Sequence, residues 1–150
     1  MVCLGNICRS PLAEGILTSK CAHLPVIIDS AGTSAHHIGE GPDHRSIHIA
    51  SINGIDIVDQ RARKIMKSDL ENFDYIFAMD TANYTNILKL SNRESDKNKV
   101  HLILNESLPG QNKAVPDPYY GGEQGFENVY QLLDTACEVI KIKLEKELNV

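Results

Sequence analysis

Cys3 and Arg9 are separated by five residues, Leu4, Gly5, Asn6, Ile7 and Cys8, and Arg9 is followed at once by Ser10 and Pro11. A thiol, a guanidinium and a hydroxyl therefore share one short stretch. Placed between a strand and a helix, such a stretch sets a ring of backbone N–H groups and a helix N-terminus around one anion-sized space. Arg9 adds a planar fork that matches two phosphoryl oxygens and keeps its charge, which a lysine would not reproduce geometrically. Fields of this kind favour a thiolate over a thiol. Cys3 is thus read as a nucleophile facing a bound phosphate. Far along the chain, Asp117 precedes Pro118, Tyr119 and Tyr120. Asp-Pro on its own is a common way to open a turn.

These residues need a frame to hold them. Hydrophobic segments alternate between short strand-like and longer helix-like periods, with no repeat and no long linker, which argues for one α/β domain over residues 1–150. Met1 to Cys3 is the tail of a strand, and the loop through Ser10 leads into a helix, with Ser10 as its cap and Pro11 at its first position. Val26 to Ile28 reads as a second, buried strand. A helix opens near Pro42 or Asp43 and stops at Asn53-Gly54. Tyr75 to Met79 is apolar and rich in β formers, as expected of a central parallel strand ended by Asp80, with a helix from Thr81. Val100 to Leu104 supplies the fourth strand. From Phe126, the positions Val129, Tyr130, Leu133, Cys137, Ile140 and Leu144 share one side of a long terminal helix. Strands separated by helices pair in parallel, so the expectation is a four-stranded parallel sheet with helices on both faces and the phosphate-binding loop after the first strand. Ligands bind beyond the carboxyl ends of such strands. The Cys3 loop, the loop after Ala31, the Asp80 turn and the Asp117 loop all follow strands and are expected to meet there.

Composition narrows the function classes. A net charge of -5 gives no basic footprint for a nucleic acid or an anionic membrane. No apolar run approaches the ~20 residues of a membrane span and no basic-then-apolar leader opens the sequence, so a cytoplasmic location is expected. The four cysteines, Cys3, Cys8, Cys21 and Cys137, are too scattered for a disulfide framework and lack zinc spacing. The six histidines are read as carrying no metal-site spacing, and no metal is expected. Cys21 and Cys137 fall on apolar helix faces and are read as core.

The run from Val2 to Glu14 resembles the signature loop of the low-molecular-weight protein tyrosine phosphatases. The resemblance continues in order through Asp29 to Ser34, Gly41-Pro42-Asp43, Arg61-Ala62-Arg63, Phe73 to Ile76 with Met79-Asp80, and Asp117 to Gly121, so nearly the whole chain is covered. It implies a two-step displacement in which Cys3 attacks phosphorus, Arg9 and the loop amides hold the equatorial oxygens, and Asp117 protonates the departing phenolate. Leu4, Gly5, Asn6, Ile7, Cys8 and Ser10 would form the phosphate cradle, with Ser10 supporting the sulfur and Asn6 the loop's shape. His36, Tyr119 and Tyr120 would line the cleft for the substrate ring. The resemblance implies no cofactor, a phosphotyrosine protein or aryl phosphate as substrate, inorganic phosphate as product and a tyrosine kinase as an opposing partner.

The pattern is departed from in three places. Only Met1 and Val2 precede Cys3, so the first strand is expected to be nearly absent. His36 stands where the family carries a large aromatic, and Gln60 where some members carry a histidine that supports the loop. Three other functions fit the same scaffold. A protein-arginine phosphatase typically has threonine at the place of Ile7 and a less aromatic acid loop. A thioredoxin-coupled arsenate reductase needs a closely spaced cysteine pair, and residues 68 to 100 contain no cysteine. A non-catalytic phosphate-binding regulator would not need Cys3, Arg9 and Asp117 together.

Overall fold

The computed structural model describes residues 1–150. The strands are β1 (Val2–Cys3), β2 (Ala31–Gly32), β3 (Ile76–Ala78) and β4 (Val100–Leu102). They form a single four-stranded sheet in the order β2-β1-β3-β4. Every pairing is parallel, with Val2 opposite both Ala31 and Ala78, and Ile76 opposite Val100. The expected α/β architecture is present. β1 is only two residues long, yet it lies in the interior of the sheet with both residues buried.

The strand order reverses direction beside β1. The chain steps outward from β1 to β2, then crosses back to place β3 on the other side of β1. Crevices at such reversals, beyond the strand carboxyl ends, are where open α/β sheets bind ligands. Cys3 is the last residue of β1 and therefore opens into this crevice.

The helices are α1 (Arg9–Lys20), α2 (His44–Ile52), α3 (Lys67–Asn72), α4 (Thr81–Leu88), α5 (Glu94–Lys97), α6 (Leu104–Ser107) and α7 (Gly122–Glu147). Two apolar clusters cover the two faces of the sheet. The larger joins Leu12 and Ile16 of α1, Ile49 of α2 and Phe126, Leu133 and Ile140 of α7 to Phe77. The smaller joins Leu70 of α3 and Ile87 of α4 to Val2, Ile76, Ala78 and Val100. The apolar stripe expected on the terminal helix is the face packed on α1, with Leu144 only partly buried at its far end. Cys21 and Cys137 are both core residues.

Several expectations need correction. Val26–Ile28 is not a strand, and Ile27 is 86% exposed. The register explains the shift: Ala31 pairs with Val2, so residues 26–28 lie beyond Met1 with no strand of this sequence alongside. Extended apolar residues without a ladder partner do not form sheet. The fourth strand ends at Leu102, because Leu104 begins α6. The terminal helix starts four residues before Phe126, at Gly122. The short helices α3, α5 and α6 leave no signal in the sequence pattern, since four to six residues hold too little periodicity to register.

α1 is held close to the segment after α2. A Cβ placed on Gly15 would lie 2.4 Å from Ile57 Cγ2 and 3.1 Å from Ile55 Cγ2. Glycine to alanine in a helix interior ordinarily stabilises by about 1 kcal/mol through propensity. Here the sign reverses: Gly15→Ala lowers the unfolding free energy by about 1–3 kcal/mol through overpacking. Urea denaturation measures it, and a variant as stable as the parent would refute the close contact.

Candidate active site

The crevice is built from the loop between β1 and α1. Asn6 N–H donates to Cys3 Sγ at 3.3 Å, whereas the N–H groups of Leu4, Gly5, Ile7 and Cys8 donate to no protein acceptor. Folded chains rarely leave several amides of one turn unpaired. Such a run at the start of a 12-residue helix forms a nest for an anion.

Asn6 fixes the loop's shape. Its φ of 57° lies in the left-handed region, which asparagine tolerates better than most residues. Its buried side chain is fully engaged: Nδ2 donates to Ser10 Oγ at 2.8 Å and Ser30 Oγ at 3.0 Å, and Oδ1 accepts from Arg63 N–H at 3.0 Å. Close packing completes the support, for a Cβ on Gly32 would lie 2.7 Å from the Leu4 carbonyl oxygen.

Ser10 does not cap the helix. α1 begins at Arg9 with Cys8 as its N-cap and no side-chain cap bond, which moves Pro11 to the third helical position. The Ser10 hydroxyl is used elsewhere, 3.0 Å from Cys3 Sγ. Two polar groups, this hydroxyl and the Asn6 amide, thus converge on the sulfur. That arrangement suits a sulfur that carries or releases negative charge.

Arg9 is 4% exposed, and its Nη1 donates to Asp80 Oδ2 at 2.8 Å and to the Val115 carbonyl at 3.0 Å. A buried guanidinium needs such partners. Asp80 uses its other oxygen to accept from Asn83 N–H at 2.8 Å, so one carboxylate caps α4 and aims Arg9. Val115 N–H donates to the Met79 carbonyl at 2.8 Å, which ties the loop leading to Asp117 to the end of β3. Arg9 Nη2 lies 3.9 Å from Asp117 Oδ2. Asp117 also accepts from Tyr119 N–H through Oδ1 at 3.1 Å, so it is a turn former and a cleft residue at once.

The resulting cleft has a volume of about 260 Å³. Cys3, Leu4, Gly5, Ile7, Cys8 and Arg9 form its floor, and His36, Asp117, Tyr119 and Tyr120 stand around it. Asn6 and Ser10 lie behind the floor and do not line it. The two tyrosine rings meet edge to face at 5.0 Å, with Tyr120 92% exposed at the rim. Ser34 and His37 also line the cleft and were missed as site residues. His37 Nδ1 pairs with Glu40 Oε2 at 2.6 Å, and Ser34 Oγ has no protein partner. The pairing of Asp80 with Arg9 was missed as well, since it spans 71 residues of chain.

Gln60 Nε2 donates to the Pro11 carbonyl at 3.1 Å, so it supports the first turn of α1 while its Oε1 stays unpaired. The reading of the histidines needs correction: His44 and His48 stand four apart on α2, a helical metal-pair spacing. No group of three or more histidine, cysteine, aspartate or glutamate side chains is placed to hold a metal ion there or elsewhere.

The family model described as low molecular weight phosphotyrosine protein phosphatase matches residues 1–150. The chain belongs to that family. A low molecular weight phosphotyrosine protein phosphatase from Schizosaccharomyces pombe is 44% identical over 146 residues, covering 93% of this chain and 92% of the relative. The crystal structure of a protein tyrosine phosphatase from Entamoeba histolytica, with Hepes in its active site, superposes with a TM-score of 0.90 at 43% identity, covering 98% of this chain and 96% of that one. A Drosophila arginine phosphatase superposes with a TM-score of 0.84 at 30% identity, covering 93% and 92%.

This phosphatase-family chain holds four free cysteines, all buried. Burial, helped by the nearby Asp43 carboxylate, pushes the Cys8 thiol up to about 12. Burial likewise raises Cys21 and pushes Cys137 up to about 12. At pH 7 these three are protonated and unreactive. Iodoacetamide followed by peptide mass spectrometry is expected to leave Cys8, Cys21 and Cys137 unlabelled in the native protein and to label them in denaturant. Native labelling of Cys8 would contradict its assigned environment.

Proposed function

We propose that the protein hydrolyses phosphotyrosine in proteins, and related aryl phosphates, through a cysteinyl-phosphate intermediate on Cys3. One observation carries this reading: Cys3, the residues Leu4, Gly5, Ile7 and Cys8 with their unpaired amides, Arg9 and Asp117 all line one cleft. Family membership supports the same chemistry.

In the first step the Cys3 sulfur attacks phosphorus, forming the S–P bond as the P–O bond to the aryl oxygen breaks. The loop amides and Arg9 stabilise the equatorial oxygens, where charge gathers. Asp117 gives its proton to the departing oxygen, whose conjugate phenol has a pKa of about 10, so tyrosine leaves neutral. In the second step the Asp117 carboxylate takes a proton from water as the water oxygen attacks phosphorus. The S–P bond breaks, inorganic phosphate is released and Ser10 and the Asn6 amide receive the charge returning to sulfur. Asp80 and Val115 hold Arg9 throughout.

Leu4 and Ile7 on the floor and Tyr119 and Tyr120 at the wall give the cleft an apolar, aromatic approach that suits a phenyl ring. His36 at the rim leaves one side of that approach more polar than a large aromatic would. Phosphoarginine is the second reading, favoured by the likeness to the Drosophila arginine phosphatase. Ile7 and the paired tyrosines weigh towards the aryl ester. No helix is long and apolar enough to cross a membrane. Four free thiols fit a reducing cytoplasm, where a tyrosine kinase would supply the substrate.

Cys3→Ser abolishes turnover of phosphotyrosine peptide while phosphate or vanadate binding stays measurable by calorimetry; full activity in that variant would reject the mechanism. Asp117→Ala slows phosphotyrosine by about 10²–10⁴-fold and activated aryl esters far less. Equal slowing across leaving groups removes Asp117 from the acid role. Side-by-side rates on phosphotyrosine, phosphoserine and phosphoarginine peptides decide the substrate class.

A further inference from the structure

The first turn of α2 touches both halves of the cleft. Asp43 N–H donates to the Ile7 carbonyl at 2.7 Å and Ser46 Oγ donates to the Cys8 carbonyl at 3.2 Å, which fastens this turn to the phosphate loop. Its third contact goes to the opposite wall. Arg45 Nη1 donates to the Tyr119 carbonyl at 2.9 Å, while Nε and Nη2 engage the two oxygens of Asp43, each at 3.0 Å. The guanidinium also lies 5.3 Å from the Tyr119 ring centroid and 4.7 Å from that of Phe126.

Within residues 116–121 the other hydrogen bonds are local, from Tyr119 N–H to Asp117 and from Gly121 N–H to Pro118. The Arg45 bond is therefore the one hydrogen bond that ties this stretch to another element. Val115 anchors the acid loop ahead of Asp117, and Arg45 anchors it behind.

We infer that Arg45 is a positioning residue for the acid step, fixing Asp117 over the Cys3 loop by tying Tyr119 to α2. It touches no reacting atom and acts through the Asp117 carboxyl, so the inference rests on Asp117 being the proton donor. The planar fork is essential to it. A guanidinium can hold both Asp43 oxygens and the Tyr119 carbonyl with its fixed donors, whereas a lysine ammonium cannot span the three in the same way.

The test is kcat/KM for a series of aryl phosphates of differing leaving-group pKa, measured in the parent, Arg45→Met, Arg45→Lys, Asp117→Asn and the Arg45→Met/Asp117→Asn double variant. Misplacing an acid by about 1 Å costs on the order of 10²-fold. Arg45→Met is expected to slow phosphotyrosine about tenfold to a hundredfold, to slow activated esters little, and so to steepen the leaving-group dependence. Arg45→Lys falls between, and inhibition by inorganic phosphate is unchanged. In the Asp117→Asn background Arg45→Met adds no further loss, because the group it positions is gone. Equal slowing for all leaving groups, or the same fold-loss in both backgrounds, overturns the inference. Circular dichroism checks folding, and Arg45→Lys runs the same cycle should Arg45→Met not fold. If Asp117→Asn leaves the leaving-group dependence unchanged, the acid assignment itself falls and the inference with it. If Asp117→Asn steepens the dependence and Arg45→Met does not, the acid assignment stands and only the role of Arg45 fails.

Discussion

A turn whose backbone amides have no acceptor of their own is an expensive thing to keep in a folded chain, since each unpaired donor removed from water forfeits a hydrogen bond. Leu4, Gly5, Ile7 and Cys8 lie in such a turn, Asn6 alone donating to the Cys3 sulfur, and much of the molecule is arranged to keep it so. Asn6 sits in a left-handed conformation and spends its whole side chain on Ser10, Ser30 and Arg63. β2 approaches so closely that only glycine fits opposite the Leu4 carbonyl. The loop is thereby prevented from relaxing into a conformation in which its amides bond to one another, and their shared need for an acceptor becomes affinity for an anion.

Charge is organised around that nest economically. The protein is acidic overall, yet the buried Arg9 brings a fixed positive group to the cleft, and its burial is offset by Asp80 and the Val115 carbonyl. Asp80 does double duty as the cap of α4, so the geometry of the guanidinium is coupled to the end of β3. Val115 couples the same guanidinium to the loop that carries Asp117. The positions of the Arg9 guanidinium and of the Asp117 carboxyl are thus not independent; both are referred to the carboxyl edge of one parallel sheet.

Each wall of the cleft has its own anchor in the larger core. α7 packs its apolar stripe on α1, and Phe126 at its start lies beneath the Arg45 guanidinium. α2 packs between them and presents its first turn to the loop carbonyls of Ile7 and Cys8. The exposed aromatic rim of Tyr119 and Tyr120 therefore stands on buried supports, which lets a solvent-facing wall keep a defined distance from the sulfur below it.

Read alone, the sequence pointed to the candidate reacting groups, because Cys3, Arg9 and Ser10 lie within eight residues and local spacing suffices to show what chemistry they can share. It also determined the α/β class and the main helices, since α1, α2, α4 and α7 carry apolar periodicity or clear end signals such as Asp43 and Gly54. Tertiary structure alone decided the rest. Whether Ser10 caps a helix or faces a sulfur depends on where β1 delivers Cys3. Strand β2 falls at Ala31 rather than Val26 because pairing needs a neighbour, and register against Val2 is not written in local hydrophobicity. Asp80 and Val115, which accept from Arg9, and Tyr119, which accepts from Arg45, lie 71 to 106 residues away, and contacts at that separation leave no periodic trace in the chain. They exist only once the sheet brings its loops to a common edge.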